Sequence, residues 1–165
     1  MRPIVALLLV SGILIGAPPP ALADPSSKDE PMAREDPMYA EGVKAVKRGD
    51  YAAAIRLFEA IVARDDRNAD AYNWLGYSTR LAGDAQRAVP IYQKALAIDP
   101  KHRGAHEYIG EAYLILGDLP KAKEHLAVLD KLCLLPCSEY SDLKKAVRAF
   151  ETSGGRIKPT SRTSP

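Results

Sequence analysis

The chain has 165 residues, with 23 Lys+Arg against 21 Asp+Glu, a formal net charge of +2 and 47% hydrophobic residues. A length of this order fits one domain with tails, and the composition is ordinary for a folded globular chain. The balanced charge, with no clustered basic face, argues against nucleic acid as a partner.

The first segment reads as an export signal. Arg2 follows the initiator Met, and Ile4 to Ile15 is apolar apart from Ser11 and Gly12. That run is well short of the roughly 20 residues needed to span a bilayer. Pro18, Pro19 and Pro20 then break any helix, and Ala21-Leu22-Ala23 has the small-x-small pattern of a signal peptidase site. Residues 1–23 are therefore expected to be removed after Ala23, leaving a chain from Asp24 that resides in the periplasm without stable membrane insertion. No Cys follows the apolar run, so a lipid anchor is not expected. Residues 24–36 are rich in Pro, Ser and charge and read as a flexible leader.

A repeat organises the next hundred residues. Gly42, Gly76 and Gly110 are spaced by 34 residues, as are the pairs Gly49-Asp50, Gly83-Asp84 and Gly117-Asp118. Ala54, Ala88 and Ala122 keep the same interval, and so do Phe58, Tyr92 and Leu126. Each landmark has a physical reason. The first Gly lies within a helix that a second helix crosses closely. The Gly of each Gly-Asp pair takes the left-handed position that ends a helix, and the Asp caps the next one. The Ala faces the close crossing, and four residues on a large apolar side chain returns to the same face. One helix pair cannot bury its apolar face alone; stacked pairs share a continuous core.

A 34-residue period carrying Leu75-Gly76, Gly83-Asp84, Ala88, Tyr92, Ala95 and Asp99-Pro100 in its middle unit resembles the tetratricopeptide repeat. The resemblance implies an all-α fold, an α-solenoid of three helix-turn-helix units. The units run from 35 to 68, 69 to 102 and 103 to 136. Departures from the pattern are Met38 and His106 where an aromatic usually opens the unit, and Asp66 and Leu134 where a Pro closes it. Pro90, well inside a helix, is expected to remove a hydrogen bond and bend it. After the third unit, Tyr140, Leu143, Val147 and Phe150 recur at helical spacing, with Ser138 or Ser141 available as its cap. This is the solvating helix that a repeat array needs at its end, which makes 37–151 one domain. Residues 152–165 carry Arg156, Lys158 and Arg162 without acidic neighbours and read as a disordered basic tail.

Cys133 and Cys137 are the two cysteines. In an oxidising compartment they suggest a disulfide that fixes the turn between the last repeat and the cap. Reactive, metal-binding or buried free thiols are the alternatives, although His125 lies about two helical turns away and is not obviously convergent. His102 falls in an inter-repeat turn and His106 occupies a packing position, so both read as structural. No phosphate loop, nucleophile elbow or catalytic triad is apparent, and no enzyme activity, cofactor or metal site is expected.

In a tetratricopeptide array the first helix of each pair lines the concave groove. The resemblance places Tyr39, Val43, Asn73, Tyr77, Arg80, Glu107 and Glu111 there, where packing is not expected to require them, together with Lys47 and Leu114. The family's clamp for the acidic C-terminus of heat-shock chaperones needs cations where this chain has Tyr39, Val43, Gly104 and Tyr108. The expected function is non-enzymatic: an interaction module in the bacterial cell envelope, acting as scaffold, adaptor or holdase, with a peptide or partner helix in the groove. A periplasmic thiol-redox or copper-binding carrier using Cys133 and Cys137 is the alternative.

Overall fold

A computed structural model describes residues 36–135 and 137–155 of the chain. Residues 1–35, where an export signal and a leader are expected, and residues 156–165 of the expected tail lie outside the described residues. Seven helices follow one another among those described: α1 Pro37–Lys47, α2 Tyr51–Arg64, α3 Ala69–Leu81, α4 Ala85–Ile98, α5 Arg103–Ile115, α6 Leu119–Leu132 and α7 Ser138–Thr152. Each packs on the next, and α7 lies against both α5 and α6. The result is three helical hairpins in a row with an added helix at the end.

The hairpins turn where the sequence dictates. Gly49, Gly83 and Gly117 all have positive φ, a region that costs glycine nothing. The following Asp50, Asp84 and Asp118 each accept a hydrogen bond from the backbone N–H three residues on, satisfying an orphan donor of the next helix. At the chain's entry to α1, Asp36 caps Met38 N–H at 2.8 Å, and Pro37 stands at the first helical position, where its missing N–H costs nothing.

Between hairpins the three turns differ. Asp65 and Asp99 each accept from the N–H two residues on, and Asn68 and His102 cap α3 and α5. In the third turn, one residue longer between its caps, Cys133 and Cys137 hold the cap positions and are joined by a disulfide with Cα atoms 5.8 Å apart. Leu134 and Leu135, 98% and 80% exposed, stand on this turn where the other two carry Asp66-Arg67 and Pro100-Lys101. A covalent link thus replaces the Asp side chain as the fastener. Because the ring it closes is small, the Cys133→Ser/Cys137→Ser double variant should lose at most about 2 kcal/mol, read by urea unfolding. A much larger loss would mean that the bridge also holds α7 in place.

The core is continuous from α1 to α7. Tyr39 meets Phe58 edge-on at 5.5 Å, Phe58 stacks on Trp74 at 5.8 Å, and Trp74 contacts Tyr77 at 6.0 Å. Ala54, Ala88 and Ala122 are fully buried. A Cβ on Gly42 would come within 2.8 Å of the Phe58 ring, and one on Gly76 within 2.7 Å of the Tyr92 ring. Close approach of helix to ring is therefore what these glycines permit.

Two expectations need correction. At Gly110 the neighbour is Leu143 of α7, 2.6 Å from a built Cβ, not Leu126 of the same repeat. Leu126 is shorter than the Phe58 and Tyr92 it stands for and is only partly buried, so the end helix fills that notch. The start of α7 is capped by neither serine: Cys137 holds the cap position without a side-chain hydrogen bond, and Ser138 Oγ donates to Glu139. Pro90 lies inside α4, which continues through it from Ala85 to Ile98.

Candidate functional site

Helices α1, α3 and α5 are the first members of their hairpins, and α3 meets α5 along a regular ladder. Asn73 Nδ2 is 3.2 Å from where a Cβ on Gly104 would stand. One turn on, the Tyr77 and Tyr108 rings tilt together at 4.8 Å. A further turn on, Arg80 Nη2 lies 2.9 Å from Glu111 Oε2. Each rung joins residues 31 apart in sequence, a constant three residues short of the repeat period.

Arg80 is the centre of the ladder. Its side chain is fully enclosed, and its guanidinium lies 5.4 Å from the Tyr77 ring and 5.6 Å from the Tyr108 ring. Both distances are within the range in which an aromatic face attracts a cation. Burial works to lower the Arg80 pKa, but Tyr92 and Glu111 more than offset it, so the guanidinium stays charged. Burial pushes the Tyr92 and Tyr108 hydroxyls up, Arg80 partly opposing this at Tyr92 and Glu107 adding to it at Tyr108, so both remain neutral. The Arg80 guanidinium is paired with Glu111 and interacts with the Tyr92 hydroxyl, whereas Asn73 Oδ1 has no hydrogen-bond partner among the described residues. A buried polar atom left unmatched costs about 1–3 kcal/mol.

The matches to family models decide the identity. Residues 39–103 and residues 80–132 each match a tetratricopeptide repeat model, together spanning more than half of the chain. This chain belongs to the tetratricopeptide repeat family. No curated protein matches it by sequence. Among solved structures, the type III secretion translocator chaperone SycD of Yersinia enterocolitica is similar with a TM-score of 0.65 at 19% identity, over 72% of this chain and 84% of SycD. PcrH, solved with the chaperone-binding region of PopD, is similar at 0.61 and 21% identity, over 71% and 88% of the two chains. The second tetratricopeptide domain of human RPAP3, solved with the HSP70 peptide SGPTIEEVD, is similar at 0.61 and 22% identity, over 66% and 91%. At these identities the likeness is one of fold.

The tetratricopeptide array brings together Asn73, Tyr77, Arg80, Glu107 and Glu111 on α3 and α5, while Tyr39 and Val43 stand on α1. The expectation that packing leaves these side chains free is corrected. Asn73 is 2% exposed and Arg80 1%; Tyr39, Tyr77, Glu107 and Glu111 are buried, and Val43 is half-buried. Ten consecutive residues of α3, Ala71 to Arg80, are buried, and ten of α5, Ala105 to Leu114. A helix advances about 100° per residue, so such runs cover every face, the concave one included. In the disulfide both thiols are consumed, so a carrier that works through free Cys133 and Cys137 thiolates has none to offer in this structure.

His102 and His106 hold structural places, with partners that no local sequence pattern announces. His102 caps α5 through Nδ1, which accepts from Ala105 N–H at 3.1 Å, leaving Nε2–H to donate to Asp70 at 2.9 Å. His106 Nε2–H donates to the Pro100 carbonyl at 3.0 Å, which leaves Nδ1 to accept from His125 Nδ1–H at 2.9 Å. The His125 ring in turn stacks on Tyr113. No local signal joins residues 19 apart on two helices. Burial lowers the pKa of both, and His106 helps bring His125 down to about 4. An unfolded chain takes up protons below about pH 6.5 that the folded pair refuses. Stability should therefore be complete above that pH and decline as the pH falls towards 4. Chemical unfolding midpoints across this window test it: the decline should flatten in His125→Gln, and equal slopes for parent and variant would remove the pair as its cause.

Proposed function

We propose that this tetratricopeptide array is a non-enzymatic protein-binding module whose concave face, walled by α1, α3 and α5, holds a polypeptide segment of a partner. The observation that carries the reading is the Asn73–Tyr77–Arg80 row. The Asn73 amide is almost fully enclosed and its Oδ1 has no hydrogen-bond partner among the described residues, while Arg80, enclosed beside the Tyr77 and Tyr108 rings, is paired with Glu111. A polypeptide supplies the complement, since its N–H groups suit Asn73 Oδ1. Tyrosines add contact area at low entropic cost, as at other protein interfaces. That PcrH and RPAP3 were solved with segments of other proteins supports the same use of the fold here.

Export to the periplasm belongs to the same proposal and rests on the sequence of residues 1–23. There the module would act as scaffold, adaptor or holdase for an envelope protein. Because the concave face is shielded, a segment enters only once that face opens. Association should then be slower than the roughly 10⁵–10⁷ M⁻¹s⁻¹ of a preformed patch.

Site-specific photocrosslinking in cells tests the reading. A photoreactive residue at position 43, on the concave side, should capture a defined partner, and one at Lys145 of α7 should not. Asn73→Ala should weaken the partner's binding by about 1–3 kcal/mol while leaving the helical content unchanged. Capture from position 145 alone would move the site to the end helix.

A further inference from the structure

We propose that the concave face of the unprocessed chain is occupied by the chain's own apolar run, Ile4 to Ile15, which leaves that face when residues 1–23 are removed. This goes beyond the protein-binding reading and does not depend on it, since it concerns what shields the face and not what later binds there.

The shielding needs a source. Helix α3 packs broadly on α2 and α4 and meets α1 and α5 only along its edges, while α5 packs on α4, α6 and α7 and meets α3. Among the described residues, those neighbours leave no helix lying across the concave side of either. Yet Ala71 to Arg80 and Ala105 to Leu114 are buried without a break, which covers every face. This burial is that of one chain by itself, so the cover belongs to the chain.

Three stretches remain as its source, and their chemistry separates them. Residues 24–35 carry Lys28, Asp29, Glu30, Arg34 and Glu35, and residues 156–165 carry Arg156, Lys158 and Arg162. Burying such charges without partners is costly. Ile4 to Ile15 carries no charge, and its burial is favourable throughout. The face offers it the Tyr77 and Tyr108 rings at 4.8 Å, with Val43 on α1 and Leu114 on α5. As a helix these twelve residues extend roughly 18 Å, close to the roughly 20 Å of α3. Residues 16–35 join the run to Asp36 at the start of α1. Those twenty residues can reach about 66 Å, more than the width of three helices packed about 8–10 Å apart. Cleavage after Ala23, as proposed above, removes the occupant and opens the face in the processed chain alone.

Photocrosslinking within the full chain tests this. The chain is made in a cell-free system without membranes, so that residues 1–23 stay attached, and its monomer is isolated by gel filtration. A photoreactive residue at position 43 should crosslink to residues 4–15, read by peptide mass mapping, and one at position 9 should crosslink to α3 or α5. Leu8→Asp with Leu9→Asp should lower the yield from position 43 by about tenfold or more, because two carboxylates resist burial. Crosslinks from position 43 to residues 24–35 or 156–165, or to the described helices alone, would overturn the assignment. So would crosslinks to residues 4–15 found only in dimers, which would give the face to a second copy. Failure of the protein-binding reading shows elsewhere: in cells, position 43 of the processed chain then captures no partner, whatever the full chain does. Circular dichroism and melting of each variant, matched to the parent, keep these outcomes separate from loss of fold.

Discussion

A chain ending at Cys137 should lose several kcal/mol of stability or aggregate, because α7 closes the last hairpin. Its Leu143, Val147 and Phe150 are buried, and fully burying such a side chain stabilises by about 1.5–3 kcal/mol each. Leu143 carries more than its area. It occupies the notch above Gly110, 2.6 Å from where a Cβ would stand. The single change Leu143→Ala should cost about 2–5 kcal/mol, since the groove it leaves is walled by helix backbone that cannot collapse inward. Urea unfolding of the single variant and light scattering of the truncation are the measurements. A truncation that melts like the parent would mean that the third hairpin is stable with its apolar face open, against the logic of repeat arrays.

Glu111→Leu should destabilise by about 3–5 kcal/mol, the penalty for leaving a buried guanidinium without its counter-charge. Arg80 is held at 2.9 Å from Glu111, with both side chains almost fully enclosed. Replacing both, Arg80→Met with Glu111→Leu, should recover most of that loss, because an apolar pair of similar volume removes the desolvation cost along with the attraction. The double-mutant cycle therefore separates stability from function. If the pair serves binding, the double variant folds well and loses its partner. A Glu111→Leu cost below about 1 kcal/mol would show that water reaches the pair and screens it.

Much of this architecture was legible in the chain because tetratricopeptide folding is decided locally. Gly49-Asp50 and its two repeats specify a left-handed stop and a cap within two residues, so neither needs a distant contact to be recognised. Alanine and glycine at fixed spacing likewise report a close crossing within one hairpin, as Gly42 with Phe58 and Gly76 with Tyr92 bear out. The residues assigned to the groove lie on α1, α3 and α5, because the repeat period sets which helix each position falls on.

What escaped the sequence lies between elements. That Leu143 and not Leu126 fills the third notch depends on where α7 docks, and nothing in a repeat period states that. His106 meets His125 only because α5 and α6 cross with those residues level. Solvent exposure was the largest miss. A repeat pattern tells which face a residue occupies, but Arg80 and Asn73 are buried because of what packs around that face in three dimensions. The sequence by itself determined the helices, their turns and their order, since caps and glycines act over a few residues. Tertiary structure alone decided which charges lose their water, because desolvation sums over neighbours that the chain brings together only on folding.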